Sequence, residues 1–149
     1  MKAVFFDAEG TLYVSRKGKC LEDFWSHGEL TLERAIDYFE LNEGVKKTLE
    51  ELLKKRMVMA VVSVHKDHLL PNLLKHFGIS DFFEEIMING DKGRLMSTFL
   101  WERDIQKKDA LMVGDTYEID IEPAIREGIR SLQMGEDIKS IPEVLDHIG

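Results

Sequence analysis

The chain is poor in cysteine, in proline and in positive charge. Its one cysteine, Cys20, cannot close an internal disulfide, which fits a reducing compartment. With three prolines, no low-complexity stretch and no visible repeat, nothing marks a linker, and the 149 residues read as one domain able to bury its own core. No apolar run approaches the ~20 residues of a membrane helix. The N-terminal run Val4-Phe5-Phe6 is too short for a signal peptide and meets an acidic residue at once. The expectation is a cytoplasmic protein with no membrane partner. Lys and Arg number 20 against 28 Asp and Glu, a formal charge of -8. That balance argues against nucleic acid as a partner, because its backbone needs a basic surface. It leaves room for a small phosphorylated substrate, since a bound divalent cation inverts the local field.

What the chain does contain is an alternation of apolar runs and amphipathic stretches. Val4–Phe6, Met57–Val64, Ile86–Ile88, Ala110–Val113 and the weaker Ile129–Met134 read as buried strands. Helical patterns fall between them. Glu43–Arg56 carries Val45, Leu49, Leu52 and Leu53 on one face, with Asn42 as its expected N-cap. Asp67–Phe77 is closed by Gly78, Asp91–Arg103 carries Leu95, Phe99 and Leu100, and Glu118–Glu127 carries Ile121, Ala124 and Ile125. Ile141–Ile148 tolerates Pro142 in its first turn. Strand-helix alternation implies an α/β fold: a three-layer, Rossmann-like α/β/α sandwich around a parallel sheet of about five strands. Ligands of such sheets sit beyond the carboxyl ends of the strands, at the switch point.

The residues at those ends carry the chemistry. Asp7-Ala8-Glu9-Gly10-Thr11 follows the first run, Ser63 closes the second, Asp91-Lys92 follows the third, and Gly114-Asp115 with Asp120 follows the fourth. A lone Asp at a strand end is often only a cap. Asp7, Asp115 and Asp120 together form an oxygen-rich site suited to magnesium, and without a cation or a proton their repulsion is costly. Gly10 and Thr11 permit a tight turn whose amides can face an oxyanion. Ser63 can donate to a phosphoryl oxygen. Lys92 can neutralise nucleophile and phosphate as a point charge, although a lysine in a first helical turn is more often solvated and sits against the helix dipole.

In this order the residues resemble the haloacid dehalogenase-like hydrolase superfamily, over nearly the whole chain. Its Asp-x-Asp-x-Thr motif stands here as Asp7-Ala8-Glu9-Gly10-Thr11; its strand-closing Ser/Thr, its helix-start Lys and its Gly-Asp-x4-Asp match Ser63, Lys92 and Gly114-Asp115…Asp120. The resemblance implies a two-step phosphoryl transfer. Asp7 attacks phosphorus, and residue 9 protonates the leaving oxygen and later activates water. Mg2+ is held by Asp7, the backbone carbonyl of Glu9 and Asp115, with Asp120 orienting Lys92 or a metal-bound water, so the metal set reads Asp7, Glu9, Asp115 and Asp120. Thr11, Ser63 and Lys92 form the phosphate-binding set. One departure stands out: the usual acid/base is Asp, and Glu9 extends one methylene further, a change that bears on rate and substrate.

Only about thirty residues, Leu12 to Leu41, remain for a cap over the site, and the stretch from Ser63 to Lys92 is filled by one helix and one strand. The chain is thus similar to the cap-less branch typified by magnesium-dependent phosphatase-1. An open site suits a bulky substrate, small molecule or protein, or a partner subunit as lid, so a homodimer is among the expectations. Leu12–Cys20 reads as a flap hairpin turning at Lys17-Gly18-Lys19; Arg16, Lys17 and Lys19 either steer substrate or simply solvate the tip. Phe24, Trp25, Leu30 and Leu32 are expected to pack on the core, His65 and His68 to begin a helix, and Trp101 to be core or helix surface. Three other readings compete. A non-catalytic phosphate- or protein-binding domain is suggested by Glu9. A receiver-type signalling domain would place its phosphorylated Asp on a middle strand. A dehalogenase or phosphonate hydrolase of the same superfamily usually needs a real cap.

Overall fold

The computed structural model describes residues 1–16, 31–64 and 69–149. In chain order the elements are β1 (Ala3–Phe6), β2 (Tyr13–Ser15), α1 (Leu32–Tyr38), β3 (Phe39–Leu41), α2 (Val45–Lys54), β4 (Val58–Ser63), α3 (Leu70–His76), β5 (Glu85–Ile88), α4 (Lys92–Glu102), β6 (Ala110–Gly114), α5 (Glu122–Arg126) and β7 (Arg130–Gln133). A π-helical turn, Tyr117–Ile121, leads into α5, and 3-10 turns span Ile141–His147.

The five expected strands form one parallel sheet in the order β5-β4-β1-β6-β7. Because alternate side chains of a strand face opposite ways, the short run of β1 serves two cores. Val4 and Phe6 join α2, α3 and the C-terminal turns on one face; Ala3 and Phe5 join α4 and α5 on the other. The chain steps from β1 to β4 and β5 on one side, then returns to β6 and β7 on the other. That reversal puts the switch point at the carboxyl end of β1. Counting only these five strands in sequence, the order is 3-2-1-4-5, with the first strand central. A receiver-type domain has 2-1-3-4-5 instead, so that reading is excluded.

Several local expectations change. Tyr13–Ser15 pairs antiparallel with Phe39–Leu41, distant in sequence. Tyr13 is wedged there between Phe39 and Phe77, at ring-centroid distances of 5.0 and 5.7 Å. The turn placed at Lys17–Lys19, together with Cys20, Phe24, Trp25, Leu30, His65, Asp67 and His68, lies outside the described residues. Arg16 is tied down at the base of this pair, donating to the Ile36 carbonyl at 3.2 Å and lying 4.0 Å from Glu40. The N-cap of α2 is Gly44; Asn42 sits two residues earlier and donates to the Thr11 carbonyl at 3.0 Å. Leu53 and Ile125, expected inside, are exposed, as is Trp101 on α4. The last segment is 3-10 rather than α-helical. Its start is clamped by Glu143, which accepts from the Ser140 amide at 2.7 Å, and Pro142 packs so closely on Gly44 that a side chain there would clash.

Candidate active site

The site is built where β1, β4 and β6 end together. The Asp7 amide donates to the Val113 carbonyl at 2.9 Å, extending the β1–β6 ladder one residue beyond the strand and fixing the Asp7 backbone. The chain then turns sharply. The Ala8 carbonyl accepts from Thr11 and Leu12 at 3.2 and 2.8 Å, and the Gly10 amide donates to Tyr13 at 2.8 Å. The amides of Gly10 and Thr11 are therefore spent inside the turn, and the expectation that they face an oxyanion is corrected. Gly10 has φ +87, and a Cβ there would collide with the Asp115 carboxylate. This turn thus needs glycine twice over, for backbone conformation and for space. The Thr11 hydroxyl is fully buried and donates to Asp7 Oδ2 at 3.4 Å.

Lys92 arrives from the first turn of α4. Its side chain is buried, and Nζ lies 2.7 Å from Asp7 Oδ1 and 2.5 Å from Asp120 Oδ1. What brings it there is Gly93: a Cβ at that position would sit 2.9 Å from the Pro123 carbonyl, so α4 and α5 approach more closely than any larger residue allows. Asp91 caps α4, accepting from the Arg94 amide at 3.0 Å. Asp120 is held from both sides. Its Oδ2 accepts from the amides of Asp115 and Thr116, each at 3.1 Å, and Gly114 leaves room for its Cβ. Thr116 Oγ1 donates to Asp115 at 3.4 Å.

Asp7, Asp115 and Asp120 each offer a carboxylate oxygen within 4.8 Å of the others. Fully ionised, they face one ammonium and keep two negative charges uncompensated. Burial pushes the Asp7 carboxyl up from its ordinary 3.8 to about 7; the Lys92 ammonium opposes that rise and the Asp120 charge adds to it. A divalent cation with a preference for hard oxygen fits this donor set and this charge deficit. Asp7, Glu9, Asp115 and Asp120 line a cleft of about 200 Å³ together with Gly10, Thr116, Val64 and Ile119. Ser63 is buried at the end of β4, beside Asp7's strand. Thr116 belongs to the strand-end run Gly114-Asp115-Thr116 that the sequence marks out, whereas Gly93, Val64 and Ile119 are not singled out there. The signal for Gly93 is a glycine directly after Lys92 in an otherwise helical pattern; the other two have none that is local.

The fold is shared with solved structures at low sequence identity. A phosphatase of the haloacid dehalogenase type from Thermococcus onnurineus superposes with a TM-score of 0.81 at 17% identity, covering 100% of this chain and 98% of that one. A hydrolase of the same superfamily from Ehrlichia chaffeensis gives 0.74 at 21%, covering 99% and 97%. An uncharacterized protein from Listeria monocytogenes serotype 4b gives 0.76 at 20%, covering 99% and 97%. No protein of curated function matches the chain in sequence. A model of the haloacid dehalogenase-like hydrolase family matches residues 8–134, which hold four of the five strands of the main sheet and the helices between them, and the chain belongs to that family.

Proposed function

We propose that this protein hydrolyses phosphomonoesters with magnesium, through an aspartyl-phosphate formed on Asp7 and with Glu9 as general acid and base. The observation that carries this reading is the buried Lys92 ammonium bridging Asp7 and Asp120 under an acidic cleft at the switch point. A charge cluster of that kind is expensive to bury for structure alone.

Asp7 attacks phosphorus in line while the ester oxygen takes a proton from Glu9; the P–O ester bond breaks and the alcohol leaves. Glu9 then removes a proton from water, whose oxygen attacks the aspartyl-phosphate and releases phosphate, restoring Asp7. Thr11 and Lys92 hold the nucleophile in one rotamer, and Lys92 offers its charge to the equatorial oxygens, with Ser63 as a neighbouring donor. Asp120, with one oxygen on Lys92 and the other on two amides, is assigned chiefly to positioning. Magnesium, held by Asp7, the Glu9 carbonyl and Asp115, would supply charge neutralisation on the phosphoryl oxygens and draw Asp7 into its ionised form. The same reading takes the chain as one cytoplasmic domain without a full cap, similar to the magnesium-dependent phosphatase-1 group, with residues 12–41 as a flap and minimal cap insert.

Hydrolysis of p-nitrophenyl phosphate by the wild type and by Asp7→Asn, with and without magnesium, tests it. Expected is magnesium-dependent turnover that falls on the order of 10³-fold or more in the variant. Folded wild type that binds magnesium without turnover would favour a non-catalytic, phosphate-binding role, with Glu9→Asp as the next protein to assay.

A further inference from the structure

The sheet order places Val64, just past β4, and Ile119, in the π-helical turn past β6, on opposite sides of the strand that ends in Asp7. Both line the cleft, and both are exposed, at 41% and 43%. Tyr117, on the same π-helical turn, is exposed at 48%. Single π-helical turns recur at functional sites, where they re-aim side chains. Isolated exposed apolar residues are ordinary on a surface, but two that bracket a catalytic carboxylate inside one cleft are not scattered.

The rest of the described lining sharpens the point. It consists of four carboxylates that the reaction or its metal uses, a glycine, and Thr116, whose hydroxyl already donates to Asp115. Among the described lining residues, therefore, no neutral side-chain donor is left over for a polyhydroxylated leaving group. Among those described residues, the surface that remains for it is aliphatic, Val64 and Ile119. From this, and resting on the phosphatase reading above, we infer that Val64 and Ile119 are specificity-determining residues that grip the leaving group from two sides, and that the preferred substrates are phosphate esters of alcohols with an apolar body.

A matched pair of esters tests this. Cyclohexyl phosphate and myo-inositol 1-phosphate share a six-membered carbon ring and differ in hydroxyls. The wild type is expected to favour the cyclohexyl ester in kcat/KM by about tenfold or more, the discrimination a hydrophobic pocket offers. Val64→Thr and Ile119→Asn, both at exposed positions, are expected to lower that preference by about three- to tenfold each. Turnover of both esters with a ratio at or below one, or with a ratio that neither variant moves, overturns the inference while the phosphatase reading stands. Protein inert toward both esters and toward p-nitrophenyl phosphate removes the phosphatase reading, and the inference with it. Sedimentation showing a dimer that Ile119→Asn dissociates would assign these residues to a subunit interface and overturn the inference as well.

Discussion

The two ends of the sheet handle charge in opposite ways. At the amino ends of the strands, where the helices finish, charges meet in solvent. Lys54 and Glu51 lie 3.3 Å apart, Arg103 and Glu84 2.9 Å, and Lys107 and Glu127 3.2 Å, every side chain at least a quarter exposed. At the carboxyl ends one cluster has similar geometry but little contact with water: Lys92, Asp120 and Asp7 are nearly inaccessible. Thr48 apart, every polar or charged residue buried among the described ones (Asp7, Thr11, Ser63, Lys92 and Asp120) stands at this end. A solvated pair contributes almost nothing and can be lost; a buried one is costly to assemble and costlier to break. Only the carboxyl end carries an arrangement that stability alone would not select.

The comparison is broken most severely by removing the ammonium. Lys92→Met leaves two buried carboxylates facing each other, and urea unfolding of the magnesium-free protein should show a loss of about 3–5 kcal/mol. A loss below about 1 kcal/mol would mean that the cluster is far better solvated than its geometry implies.

Next in size is a pH effect. With Asp7 titrating at about 7 in the folded protein and near 3.8 unfolded, the folded state holds the extra proton between those values. Stability is then greatest at the acid end of that window, falls as pH rises through it, and is flat above, by a few kcal/mol in all. Asp7→Asn lacks this slope. In magnesium-free buffer the variant's advantage over wild type should therefore widen from about pH 4.5 to about pH 8. Parallel stability curves would rule out the raised Asp7.

Gly93→Ala forces α4 away from the Pro123 carbonyl, with an expected loss of about 1–3 kcal/mol. Because Lys92 is displaced with the helix, kcat should fall even where the protein remains folded. Lys54→Ala, at the other end of the sheet, should stay within about 0.5 kcal/mol of wild type by the same unfolding assay. Equal effects for Gly93→Ala and Lys54→Ala would erase the contrast between the two ends.

Much of this architecture is legible in the amino-acid sequence. All five strands of the main sheet coincide with the runs that announce them, to within a residue or two, most plainly β1, β4 and β6, whose cover on both faces is written as continuous apolar sequence. The helices between them are legible for a similar reason, a period of 3.6. Legibility fails where partners are distant or environment decides. Tyr13–Ser15 pairs with Phe39–Leu41 across an intervening segment. Leu53 and Ile125 carry the right period, but lie at the margin of a face that other elements do not reach. Gly10 and Thr11 can be assigned to a turn, but not the carbonyls that absorb their amides.

By itself, then, the sequence determined which residues stand just past each strand, and hence the acids, hydroxyls and ammonium available for chemistry, because strand period and turn propensity are properties of neighbouring residues. Tertiary structure alone decided that Lys92 would meet a carboxylate 85 positions away, that Gly10 would lie against Asp115, and that Val64 and Ile119 would flank Asp7. Those contacts depend on strand order and on helix-to-helix distance, and nothing local in the chain encodes either.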